Sequence, residues 1–159
     1  MAFALGSCAS HKGYEKASRP ADSHVQVKNL SKIQKMIVDE AMDWMGTPYA
    51  YGNSDKGRGT DCSGMVLAVY RDVAGVMLPR NSAQQAEFSR SIRKKDVKTG
   101  DLVFFATGKN PDRVSHVGIM LDADRFIHAS STKGVVISSV SSPYYVRTFK
   151  KYGRIIELR

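Results

Sequence analysis

Apolar residues recur at three- and four-residue steps before position 75 and at two-residue steps after position 100. Leu30, Ile33, Ile37, Ala41 and Trp44 fall on one face of a helix. Ser31 and Gln34 fit a capping box at its start, and Gly46 and Pro48 end it. Val66, Val69, Tyr70 and Val73 mark one face of a second helix that begins just after Cys62. Ser82 with Gln85 offers another capping box, for a short helix before Arg90. Beyond Gly100, residues 102–105, 114–121, 125–129, 135–139 and 154–158 all read as strands. Their connections are too short for helical crossovers, so the sheet of about five strands is antiparallel. Helices first and strands afterwards make an α+β domain. It occupies residues 30–159, and residues 1–29, which lack an apolar period, read as a tether.

Composition bounds this picture without changing it. At 159 residues, 42% hydrophobic and 25% charged, the chain is the size of one globular domain. Nowhere does it approach the run of about 18 apolar residues that a membrane-spanning helix requires. The net charge of +9 favours anionic partners such as nucleic acid, lipid headgroups or a carboxylate-rich polymer. A solvated basic surface explains the charge equally well. The run Arg93-Lys94-Lys95 lacks interleaved aromatics and reads as an exposed segment, not a nucleic-acid groove.

Two cysteines, Cys8 and Cys62, are too few for a disulfide framework. No metal-ligand spacing accompanies them, and no cofactor is expected. Leu5-Gly6-Ser7-Cys8 resembles a bacterial lipobox, with Cys8 as the lipidated residue. The tether from such an anchor would reach at most about 70 Å. Cys62 lies in Gly59-Thr60-Asp61-Cys62-Ser63-Gly64, directly before the second helical pattern. Amides and dipole at a helix N-terminus stabilise an anion, so the expectation is a thiol of lowered pKa. A buried structural cysteine is the alternative.

The two late histidines favour chemistry. If Asp122-Ala123-Asp124 is a hairpin loop, Leu121 pairs with Arg125 and Gly118 faces His128. His116 then lies diagonally across from His128 on the same face, about 7–8 Å away between Cα atoms. Gly118 leaves room between the rings, and Val117, Ile119 and Leu121 form a core stripe on the other face. A shift of one residue would separate the histidines. With this register, one imidazole accepts the thiol proton and the other accepts a hydrogen bond that fixes its tautomer. His11 and His24 belong to the tether and carry no such reading.

Six segments in order resemble the NlpC-type, papain-like cysteine peptidases of bacterial cell walls. They are residues 46–52, Asp61-Cys62-Ser63-Gly64, Leu78-Pro79-Arg80, residues 100–105, residues 115–119 and Phe126-Ile127-His128-Ala129. The resemblance implies a papain-like fold, with the nucleophile's helix packed on the sheet that carries the histidines. It implies Cys62 as nucleophile, His116 as general base, His128 as third polar residue and Tyr49 as oxyanion donor. Asp61, Ser63, Arg80 and Ser82 correspond to the substrate groove, and Asp61 also suits a helix cap. Many relatives carry two glycines where this chain has Gly52-Asn53. The neutral Asn81 stands where relatives that bind a free amino terminus carry an acid, which favours an endopeptidase on longer wall peptides. The implied partner is peptidoglycan, cut in the D-glutamate and diamino-acid region of its stems. The implied setting is a monomeric envelope lipoprotein facing the periplasm, on the outer membrane in a Gram-negative cell, with no nucleic-acid partner. Rival readings are a thiol-dependent lipid acyltransferase, whose histidine would precede its cysteine, and a non-catalytic basic binding module.

Overall fold

A computed structural model of the chain describes residues 30–155; Cys8, His11 and His24 lie outside them. Helix α1, Leu30–Met42, buries Ile37 and Ala41, and Trp44 follows them into the core just past its end. The helix already contains Ser31, so the Ser31–Gln34 capping box does not mark its start. A two-stranded ribbon, β1 (Ser54–Asp55) and β2 (Gly59–Thr60), leads into helix α2, Cys62–Ala74. Met65, Val66, Ala68, Val69 and Tyr70 of α2 are buried, because their spacing returns to one side every turn. Helix α3 spans Ser82–Phe88. Its cap is Asn81, whose side chain accepts from the Gln84 amide at 2.9 Å. The expected pairing of Ser82 with Gln85 is therefore off by one residue, since Gln85 turns inward and donates to the Ser63 and Pro79 carbonyls at 3.0 and 2.9 Å.

Six antiparallel strands form the main sheet: β3 (Arg90–Ile92), β4 (Leu102–Phe105), β5 (His116–Met120), β6 (Arg125–Ser130), β7 (Gly134–Ser139) and β8 (Phe149–Arg154). Their spatial order is β3-β8-β4-β5-β6-β7. The sequence suggested about five strands and placed the last at residues 154–158. The strand there is β8, which starts five residues earlier and pairs with both β4 and β3. Its Lys150-Lys151 pair hides the two-residue period, and a bulge opposite Phe104 and Phe105 breaks it further. A late helix, α4 (Pro143–Thr148), also interrupts the order of helices first and strands afterwards.

The sheet is covered on both sides. Leu102, Phe104, Val117, Ile119, Ile127, Ala129 and Val135 meet α1 and α2 in the larger core. Val103, Phe105, Met120, Phe126 and Tyr152 form a second apolar layer, which Tyr145 of α4 joins. Buried Asp101 accepts two bonds from Arg154, at 2.8 and 2.7 Å, and ties the start of β4 to the end of β8.

The β5–β6 register is the one expected: Ile119 faces Ile127 and Met120 faces Phe126, with the Leu121 amide donating to the Arg125 carbonyl at 2.8 Å. Asp122 closes the loop by accepting from the Asp124 and Arg125 amides at 2.9 and 2.8 Å. A Cβ at Gly118 would sit 2.6 Å from Phe126 Cδ2, 2.9 Å from the Ile127 carbonyl oxygen and 3.2 Å from His128 Cβ. Only glycine lets β6 lie this close. Gly118→Ala is expected to lower stability by about 1–3 kcal/mol, the usual range for overpacking. Urea denaturation measures it, and a loss under about 0.5 kcal/mol would mean that the strands separate freely.

Candidate active site

Asp61 organises the start of α2. Its Oδ1 accepts from the Gly64 amide at 2.8 Å, the capping bond, and its Oδ2 accepts from the Gly52 amide at 2.7 Å. Arg80 closes on the same carboxylate with both terminal nitrogens, at 2.9 and 2.8 Å, and also reaches Ser63 Oγ at 3.0 Å. Burial alone would raise the Asp61 carboxyl. Arg80 and the two amides hold it below its ordinary value instead. A Cβ at Gly64 would fall 2.4 Å from the Asn53 carbonyl oxygen, so the loop before β1 can approach the helix only at a glycine.

Cys62, the first residue of α2, is buried and has a free thiol. Burial pushes this thiol up to about 11, although the Val117 amide and the amides of the first turn pull the other way. The expected lowering at a helix N-terminus is therefore outweighed, because desolvation costs an anion more than these donors return. The influence of the Val117 amide on the thiol sets Cys62 beside the start of strand β5, whose first residue is His116.

His116 and His128 share one face of β5 and β6. His116 Nε2 lies 2.8 Å from His128 Nδ1, with the rings nearly perpendicular and their centroids 4.9 Å apart. Burial pulls His116 down to about 4 and His128 to about 3, the neighbouring imidazole adding to the second shift. Both rings are therefore neutral at pH 7. They lie on the Phe105 and Phe126 side of the sheet, whereas α2 covers the other side. The sequence suggested that the nucleophile's helix packs on the sheet that carries the histidines and that Cys62 reaches His116 from their side. The structure brings them together at the end of β5, where Cys62 and His116 line one cleft.

Tyr49 borders the same cleft. It is fixed by its neighbours: the Thr60 amide donates to the Pro48 carbonyl at 3.0 Å, and the Ala50 amide to the Thr60 carbonyl at 2.9 Å. Burial first, then the nearby Cys62 and Asp61, raise the Tyr49 phenol, so it keeps its proton as a donor. The cleft continues on both sides of Cys62. One arm passes His116, His128, Lys133 and Tyr145. The other passes Ser63, Asn81, Ser82, Lys109 and Arg113. Of the expected groove residues, Asp61, Ser63 and Ser82 line that second arm, and Arg80 stands behind them. The Asp61 carboxylate and the Arg80 guanidinium face each other, so each is already engaged within the protein.

Sequence reasoning missed what lies behind His128. Its Nε2 is 2.9 Å from Ser138 Oγ on β7 and 3.3 Å from Tyr145 Oη on α4. Ser138 was findable by the rule that paired the histidines. With Ser130 opposite Gly134, His128 faces Val136, and Ser138 is the next residue on that face.

The NlpC/P60 family matches residues 46–154. The probable endopeptidase NlpC of Escherichia coli K12 is 39% identical over 154 residues, 97% of this chain and 94% of that protein. The murein DD-endopeptidase MepS/murein LD-carboxypeptidase of the same organism is 37% identical over 130 residues, 82% of this chain and 66% of that protein. A lipoprotein-like NLP/P60 protein from Staphylococcus aureus has a similar solved structure, with TM-score 0.71 and 32% identity. That match covers 86% of this chain and 45% of the other.

The neutral histidine pair makes stability depend on pH. An unfolded imidazole titrates near 6.5, above both folded values, so the unfolded chain takes up protons first. The pair's contribution is complete above about pH 6.5 and is lost as pH falls from there through 4 toward 3. The melting temperature should drop across that window, and His128→Asn, which cannot be protonated, should flatten the slope. An equal slope in the variant would place the titration elsewhere.

Proposed function

The chain belongs to the NlpC/P60 family, and from that premise we propose that it is a peptidoglycan hydrolase, a cysteine endopeptidase of the bacterial cell wall. One observation carries the residue assignment. His116 hydrogen-bonds His128 at 2.8 Å while sharing a cleft with Cys62 at the head of α2.

With His116 Nε2 committed to His128, Nδ1 is the nitrogen left to take the thiol proton. Burial keeps the resting pair neutral, so proton transfer accompanies attack instead of preceding it. Sulfur adds to the carbonyl carbon of a stem or cross-link peptide bond, and the proton moves to His116. The tetrahedral oxyanion is met by the Tyr49 hydroxyl and by amides at the first turn of α2. Collapse breaks the C–N bond, and His116 returns the proton to the departing amine. A water molecule, deprotonated by His116, then hydrolyses the thioester and regenerates the thiol. Ser63 and Ser82 lie along one arm to hold the substrate, and Arg80 with Asp61 fixes that wall.

The cations Lys109 and Arg113 on one arm and Lys133 on the other suit carboxylates on either side of the scissile bond. This supports cleavage in the region of D-glutamate and the diamino acid. Asn81 caps α3 with its carbonyl oxygen, so it offers no charge to a substrate ammonium, in keeping with an endopeptidase. An envelope location goes with this substrate, and a lipid anchor at Cys8 would hold a monomeric enzyme to the membrane facing the periplasm.

Cys62→Ala should abolish release of wall peptides, read by mass spectrometry of purified peptidoglycan digests, without loss of fold. His116→Ala should lose at least about 10²–10⁴-fold, the usual contribution of a positioned base. His128→Asn should keep part of the rate, because an amide oxygen still accepts from His116. Full activity in Cys62→Ala would sink the thiol mechanism.

The anchor is tested separately. The natural protein should partition with membranes and Cys8→Ala should release it; soluble, unmodified wild-type protein would refute the anchor.

A further inference from the structure

The general base can accept a proton on Nδ1 only if its own hydrogen sits on Nε2. That hydrogen then points at His128 Nδ1, 2.8 Å away, which must be a bare acceptor. His128 consequently carries its hydrogen on Nε2. In the opposite arrangement His128 Nδ1 would donate, the hydrogen of His116 would move to Nδ1, and the base would be blocked. Two neutral imidazoles facing each other do not choose between these arrangements by themselves.

The choice falls to what surrounds His128 Nε2. Ser138 Oγ lies 2.9 Å from it and Tyr145 Oη 3.3 Å. Both hydroxyls thus converge on one nitrogen, and Ser138 acts on the Tyr145 phenol as a donor would, lowering it against the burial that raises it. A serine hydroxyl accepts while donating elsewhere, and here it has Tyr145 and the cleft as outlets for its own proton. His116 and Ser138 meet His128 on opposite diagonals, so the three side chains run obliquely across β5, β6 and β7. Tyr145 closes the end of that line. Its ring stands at 90° to Phe126, centroids 4.9 Å apart, and at 79° to His128, centroids 5.6 Å apart. The short helix α4 thus roofs the second histidine.

We propose that Ser138 is a positioning residue that accepts a hydrogen bond from His128 Nε2, selects the tautomer of both imidazoles and so keeps His116 Nδ1 free for the thiol proton, with Tyr145 holding the Ser138 hydroxyl in place. The inference rests on Cys62, His116 and His128 acting together, and its test separates the two ideas. Long-range proton–nitrogen NMR of the histidine rings reads the tautomers without substrate. In the wild-type protein both rings should carry hydrogen on Nε2. In Ser138→Ala, His128 should show a mixture. Its kcat on wall peptides should fall about tenfold at unchanged KM, with Ser138→Thr restoring both signals. Tyr145→Phe should show a smaller change of the same kind. A Ser138→Ala protein with unaltered tautomers or full kcat overturns the proposal. Activity surviving in Cys62→Ala would instead overturn the thiol reading while leaving the NMR result to stand on its own.

Discussion

The close approach of β5 to β6 at Gly118 sets everything downstream of it. The Asp122-Ala123-Asp124 loop fixes which residues face each other, and the missing side chain at position 118 lets the strands meet at that distance. Because a strand alternates faces, this single register decides that His116 and His128 are neighbours instead of lying on opposite sides. The hydrogen bond between them, the burial that keeps both neutral and the apolar layer of Phe105, Phe126 and Tyr145 all presuppose it.

A second constraint acts on the sulfur. Asp61 is both the helix cap and the partner of Arg80, so the first turn of α2 is held by charge-assisted bonds from two directions. Lysine at position 80 would keep the charge but lose the two-pronged grip that spans Asp61 and Ser63. Histidines fixed by a sheet and a thiol fixed by a helix cap come from separate parts of the chain. They meet because β5 begins where α2 begins.

Much of this was legible in the sequence for identifiable reasons. The helical faces around Ile37 and Val66 and the period-two strands are long enough to reveal their period. The histidine register followed from a loop with aspartates at both ends and a glycine opposite His128. The cap at Asp61 was visible, but its bond to Arg80 was not, since nothing local joins residues so far apart. Helix α4 has too few residues to show a period, and β8 breaks its own with Lys150 and Lys151. The thiol was misjudged in sign because helix position is readable from sequence whereas desolvation is a property of the packed fold.

The cleft extends past Cys62 in both directions, bounded by β6, β7 and α4 on one arm and by α3 and residues 108–115 on the other. On the function proposed above, a trough of that shape would receive its substrate broadside, the backbone laid across the thiol with chain continuing both ways. No terminus has to be threaded. For a bond embedded in a continuous covalent network, that geometry would permit a cut in the middle of the mesh and not only at its loose ends.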